Sequence, residues 1–259
     1  MNSEIINISW LNVAVTTLLV IAAGICSLLL KLRLEKDIVT GTIRAFVQLF
    51  LLGYVLKTVF ALNNPFIVFL LFSMMIYFAA SIISGRVKER SVPYFLPVLA
   101  SMFLSYIVIN TFVMTVIIQV KPWYKPVYFI PIGGMIIGNS MNALAIAIHI
   151  WFETLKKERD RIGLYLSLGA TPEESTSENF KSAIKSGMIP SINALMSVGV
   201  VSIPGMMTGQ ILAGVSPLIA IKYQIVIMLL LVGSTALSTV FAMHIVRRLS
   251  FTTGQQLKV

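Results

Sequence analysis

The chain has 259 residues, of which 57% are hydrophobic and 12% charged, with a mean hydropathy of +0.90. A soluble domain of that length cannot hide so much apolar surface, so the composition excludes a water-soluble globular protein and calls for an integral membrane one. The net charge of +10 is gathered in short segments between apolar runs, which makes it a topology signal with some attraction to anionic lipid; nucleic-acid binding is not expected.

Residues 1–9 contain no basic cluster and carry Glu4, which argues against a cleaved signal peptide. Six uncharged stretches follow, at 5–30, 58–85, 91–120, 126–152, 186–221 and 223–246, each longer than the roughly 20 residues a helix needs to cross a bilayer. The single Cys26 lies in the first of them and can form no internal disulfide. A further segment, 41–62, is apolar between Arg44 and Lys57 and suits a second span whose Lys57 snorkels to an interface. Arg44, one turn before Gln48, either snorkels to headgroups or faces a pathway. Asn63, Asn64 and Pro65 then predict a tight turn, which would make spans two and three a hairpin. The expected fold is all-α: a polytopic bundle of about seven spans, forming one transmembrane domain over 1–259.

Placing the amino terminus outside puts fifteen of the twenty Lys and Arg at 31–40, 85–93, 153–188 and after Val246, on the cytoplasmic side favoured by the positive-inside rule. The carboxyl terminus is then cytoplasmic, and the membrane is the inner or plasma membrane.

Between 153 and 188 the chain turns polar, so the fifth span is expected to continue into the cytoplasm as a helix that stops at Gly169. Thr171-Pro172-Glu173-Glu174 then reads as a new helix start: Thr as cap, Pro in the first helical position and Glu completing a capping box. Phe180, Ile184 and Met188 recur at i, i+4 and i+8 and predict one apolar stripe on a short amphipathic helix. The hairpin either grips a partner or lies on the membrane surface.

The 61 residues from 186 to 246 exceed what two spans require. The surplus predicts a break at Pro204 and a short re-entrant or outer-face helix over 206–213. Met206, Met207 and Gln210 on that piece, with Met135, Asn139 and Asn142 on the fifth span, are candidate pathway residues. Thioethers suit soft metals and amides harder ions, so Met206 and Met207 are weak metal candidates. The alternative is that the methionines fill gaps while Gly133, Gly134, Gly138 and Ala143 let helices pack closely. His149 and His244 read as interfacial residues.

The run 164–174 (LYLSLGATPEE), followed by 188–193 (MIPSIN), is similar to the loop by which ABC-transporter permeases grip their ATPase subunits. Segments 44–49 (RAFVQL), 131–142 (PIGGMIIGNSMN) and 204–214 (PGMMTGQILAG) resemble the FetB family of iron-export permeases, whose plant relatives are linked to aluminium tolerance. The resemblance spans nearly the whole chain. It implies a permease that dimerises to form the pathway and pairs with a separate ATP-binding cassette subunit. Leu168, Gly169, Ala170, Thr171, Pro172, Glu173, Glu174 and Phe180 would couple the two.

There is no G-x-x-x-x-G-K-[ST] loop, no H-E-x-x-H and no C-x-x-C, so no enzyme is expected here: ATP and Mg would sit on the partner, and the chain itself needs no cofactor. All ten acidic residues fall outside the expected spans, which disfavours proton- or sodium-coupled transport. An ATP-independent channel or carrier remains the competing class, and a non-transporting scaffold the third.

Overall fold

The computed structural model describes residues 8–87 and 89–259; the readings that used Glu4 and Lys88 lie outside them. The described residues form ten α-helices: α1 (Trp10–Leu29), α2 (Glu35–Leu62), α3 (Pro65–Arg86), α4 (Phe95–Phe112), α5 (Pro126–Lys157), α6 (Arg159–Ser167), α7 (Pro172–Ser175), α8 (Ser177–Ser197), α9 (Gly205–Leu212) and α10 (Pro217–Leu249). A π-turn at Val113–Ile117 prolongs α4. No strand is present among the described residues, only two isolated bridges.

Local chemistry explains several boundaries. The Ser9 hydroxyl accepts from Asn12 N–H and caps α1. Asn63 closes α2 in the left-handed region at φ +43°. Asn64 Oδ1 accepts from Phe66 N–H at 2.9 Å, and Pro65 opens α3 where no donor is needed.

Among the described residues six helices are long and apolar enough to span a membrane: α1, α2, α3, α4 with its π-turn, α5 and α10. The seventh span expected from the sequence is not among them. Its residues are divided between α8, whose amino-terminal half carries Glu178, Lys181 and Lys185, and α9, about 12 Å long at 1.5 Å per residue. The expected short amphipathic helix and the start of that span are one continuous helix, which runs through Pro190. The break comes earlier than expected, because α8 ends at Ser197 and a turn occupies 198–204 ahead of α9.

The chain forms two compact units, one ending at Asn63 and taking in Leu212–Gly214, the other made of 64–211 and 215–259. The turn between α2 and α3 falls at their boundary. In the first unit α1 packs along α2, with Trp10 stacked on Phe50 at 5.3 Å.

In the second unit α5 is the central helix, packed on α3, α8 and α10, while α4 leans on α3 and α10. Phe72 and Phe129 meet edge to face at 5.2 Å, and Ile132, Ile136 and Leu144 of α5 are likewise fully buried. Helix α8 buries Phe180, Ala183, Gly187 and Ser191. A Cβ on Gly187 would lie 2.6 Å from the Ala143 carbonyl oxygen, so only glycine lets α8 approach α5 this closely.

The loop after α3, the α5–α8 connection and the chain's carboxyl end meet at one end of this unit. Lys156 pairs with Glu89 at 2.5 Å, Trp151 Nε1 donates to Ser250 Oγ at 3.0 Å, and the Arg247 guanidinium covers the Phe180 ring at 4.4 Å. Three of the four basic segments therefore share one end.

Candidate functional site

The segment from Leu164 to Glu174 forms a rigid knuckle. Helix α6 ends with Gly169 at φ +93°, where Ala170 N–H donates to Tyr165 O and Gly169 N–H to Leu166 O. This double closure satisfies the last carbonyls and reverses the chain, and it needs a residue without a Cβ at that φ. Thr171 Oγ1 accepts from Glu174 N–H at 3.2 Å while Glu174 Oε2 accepts from Thr171 N–H at 2.8 Å, so the capping box read from the sequence is present. That Thr171 N–H and then the Thr171 hydroxyl, which donates to the same Oε2 at 2.9 Å, hold the Glu174 carboxyl below its ordinary pKa. Helix α7 nevertheless lasts only four residues; α8 begins at Ser177 without a side-chain cap, the Thr176 hydroxyl donating back to the Pro172 carbonyl at 2.6 Å. The tip is exposed, with Leu168 at 75%, and Gly169, Thr171, Glu173 and Glu174 are open to solvent while Ala170 and Pro172 are half-buried.

Phe180 plays a different part from the other knuckle residues. It is buried, with its ring 6.1 Å from Trp151 of α5, 4.8 Å from His244 of α10 and under the Arg247 guanidinium. Arg247 also reaches Glu173 on α7 at 3.9 Å and is 12% exposed. A charged guanidinium sandwiched between a ring and a carboxylate ties the knuckle to α10. The base of the knuckle is tied to α8: Glu158 accepts from Asn179 Nδ2 at 3.0 Å and pairs with Arg161, which lies 3.5 Å from Glu178. The expected stripe is shifted, since Ile184 and Met188 are only half-buried and the buried face runs through Ala183 and Gly187. Neither Arg247 nor Trp151 was legible as a partner of Phe180, because both are brought in by tertiary packing.

The second feature is a face of α5. Met135, Asn139, Asn142, His149, Glu153 and Lys156 recur at helical spacing and none is buried, while the opposite face carries Leu144, Ile148 and Leu155 into the core. At 1.5 Å per residue this stripe runs for about 32 Å, with Met135, Asn139 and Asn142 inside the apolar stretch 126–152 and Glu153 and Lys156 beyond its end. Arg86 Nη1, at the end of α3, donates to Asn142 Oδ1 at 3.0 Å. Asn139 Nδ2 turns back to the Met135 carbonyl at 3.1 Å. Beyond Asn142 the stripe opens into a cavity of about 390 Å³ lined by Arg86, Val87, Glu89, His149, Phe152, Glu153 and Lys156. There the Lys156 ammonium, with help from Ser91, holds the Glu89 carboxyl down to a pKa of about 2.

The other candidate residues lie apart from that stripe. Pro204 and Met207 line a separate cavity of about 390 Å³, mainly aliphatic, with Gln224 and Met228 of α10 on its wall. Gln224 is 6% exposed and its Oε1 makes no hydrogen bond. Met206 is not on that wall, and no α5 residue is. Gln210 is half-buried on α9 with Oε1 unpaired. Arg44 and Gln48 lie exposed on α2 in the first unit. Of Gly133, Gly134 and Gly138, the first is closely overlaid, by Phe72, and the last faces open space. Among the described residues no group of three or more His, Cys, Asp or Glu is placed to hold a metal ion.

Six apolar helices of spanning length among the described residues define a multi-pass helical membrane protein. A model of the family described as "Uncharacterised protein family (UPF0014)" matches residues 10–251, and the chain belongs to that family. It is 39% identical over 216 residues to "UPF0014 membrane protein slr1647" of Synechocystis, covering 83% of each chain. It is 34% identical over 260 residues to "Probable iron export permease protein FetB" of Escherichia coli, covering 100% of this chain and 98% of that one. To "Protein ALUMINUM SENSITIVE 3" of Arabidopsis thaliana it is 32% identical, covering 95% of this chain and 88% of the relative. No solved structure matches.

Proposed function

We propose that the chain is the membrane-spanning subunit of an ATP-driven exporter whose cargo is a metal ion, with iron the first candidate. A separate ATP-binding cassette subunit binds ATP and Mg and hydrolyses the nucleotide; two copies of this chain form the pathway in the inner or plasma membrane, with the knuckle and the carboxyl terminus in the cytoplasm and α8, antiparallel to α5, taking the chain back across between them. The observation that carries this reading is the knuckle: an exposed Leu168–Glu174 tip of fixed shape, joined through Glu173, Arg247 and Phe180 to α10 and through Trp151 to α5. A partner that pushed on the tip would move the two longest helices of the unit. The gathering of three basic segments at the knuckle's end supports the cytoplasmic placement, and the full-length likeness to the iron export permease supports the cargo.

The test uses the purified chain in lipid discs with its candidate ATPase. Ferrous iron should raise the ATPase rate of the wild-type complex. Gly169→Pro and Glu174→Lys should abolish stable partner binding. Arg247→Ala should keep the partner and lose at least fivefold of the metal stimulation, because the tip remains while its link to α10 is cut. If no partner binds and metal flux into vesicles proceeds without ATP, the protein is a channel or carrier instead.

A further inference from the structure

We propose that His149 and Glu153 form a loading site for a first-row divalent cation at the mouth of the α5 stripe. The proposal rests on the metal-transport reading above and assigns that reading its first contact with cargo. The two residues stand four apart on one face of α5, with Nε2 and Oε2 3.7 Å apart and side chains 64% and 69% exposed. Two ligands held at about 2.1 Å from one metal at roughly tetrahedral or octahedral angles are separated by about 3 to 3.5 Å. A small rotamer change therefore brings the imidazole and the carboxylate onto a shared ion.

The surroundings leave those two groups free. The cavity that they line also contains Arg86, Lys156 and Glu89. Arg86 is directed to Asn142 at 3.0 Å and Lys156 to Glu89 at 2.5 Å, so the cations are turned to other partners and the third carboxylate is committed. The charges of Arg86 and Lys156 are offset by Glu89 and Glu153. An imidazole nitrogen with a carboxylate oxygen suits borderline divalent ions such as manganese, iron or zinc rather than soft monovalent ones. Two protein ligands with water completing the shell give an open, labile site, as a transported ion requires. The next polar groups along the same face are Asn142 and Asn139, whose amide oxygens lie farther into the membrane-spanning part of α5. Release of Asn142 by Arg86 would free the first of them for an ion leaving the loading site.

The full-length chain in lipid discs, without partner or ATP, is titrated anaerobically with ferrous iron against a chromogenic chelator, and separately with cobalt(II) followed by its visible absorption. Wild type should bind one ferrous ion at this site. His149→Ala and Glu153→Gln should each weaken that binding at least tenfold, with His149→Ala also losing the cobalt band of a nitrogen ligand. Asp37→Asn, an exposed carboxylate on α2, should change nothing. Exposure of both side chains keeps the variants folded. If wild type binds no ion, or if either variant binds as tightly as wild type, the pair is an ordinary helix-surface contact and the proposal falls. Failure of export is separable: binding that depends on His149 and Glu153, without any ATP-driven flux, would overturn the exporter and leave the site. Flux at the wild-type rate in variants with unchanged iron binding would do the reverse.

Discussion

Helices α5 and α10 are nearly equal in length, 32 and 33 residues, and both run through the second unit, but they carry their polar groups on opposite terms. Helix α10 buries Ser234, Thr235, Ser238 and Thr239 almost completely, and Ser140 of α5 meets Thr235 across the interface at 3.4 Å. Helix α5 keeps Asn139, Asn142, His149 and Glu153 out of the core. Hydroxyls buried between helices act as glue, able to satisfy a neighbour or their own backbone, as Ser238 does with the Thr235 carbonyl at 3.2 Å. Amides left on an open face at membrane depth are costly unless something meets them, and His149 and Glu153 stand where that face leaves the span. The contrast separates polar residues that build the bundle from those available to a cargo or a second copy.

The largest effect should come from the packing that holds α5 in place. Gly187→Leu must push a side chain into the Ala143 backbone, and overpacking of this kind costs about 3 kcal/mol or more. Thermal unfolding in detergent should show a strongly lowered Tm, or no folded protein at all; an unchanged Tm would mean that α8 is not seated on α5 as described. Next comes the comparison itself. Asn142→Leu should leave the Tm nearly unchanged, since the residue is exposed, but reduce iron transport about tenfold by removing an amide from the stripe. Thr239→Val should do the opposite. Its hydroxyl is fully buried and unpaired, so the isosteric change should be neutral or stabilising by up to about 1 kcal/mol, with transport intact. Equal losses of transport in the two variants would erase the distinction between the helices.

How much of this was legible in the sequence depends on the range of the interactions. The spans showed as uncharged stretches because the bilayer acts on each helix separately. The knuckle showed because Gly169 and Thr171-Pro172-Glu173-Glu174 satisfy their own backbone within a few residues. Helix α8 did not, since the polar residues of its first half and Pro190 suggest two pieces until packing on α5 joins them. The Arg86–Asn142 and Phe180–Arg247 contacts link residues more than fifty positions apart, and no local pattern marks them. His149 is exposed near the end of α5, as an interfacial residue would be. Read alone, it is an interfacial histidine; read with Met135, Asn139, Asn142 and Glu153 at spacings of four, three, seven and four, it belongs to a stripe that the sequence already contained.

The smallest expected effect concerns the ion pair at the stripe's end. Lys156 and then Ser91 hold the Glu89 carboxyl at about 2, below its ordinary 4.5. A carboxylate depressed in the folded state stabilises that state above its ordinary pKa, and the contribution drains away as pH falls from 4.5 towards 2. Lys156→Met removes the main cause, so Glu89 should titrate nearer its ordinary value. The stability difference between wild type and variant should be constant above pH 5 and shrink below 4.5. Because the Lys156 side chain is 60% exposed, solvent screening limits that difference to less than about 1 kcal/mol at neutral pH. Iron binding adds a second readout. With Glu89 released, a third carboxylate faces the cavity beside His149 and Glu153, so Lys156→Met should bind ferrous iron more tightly than wild type. Unchanged or weaker binding would mean that Glu89 cannot turn towards the pair, and that α5 alone supplies what an ion meets there.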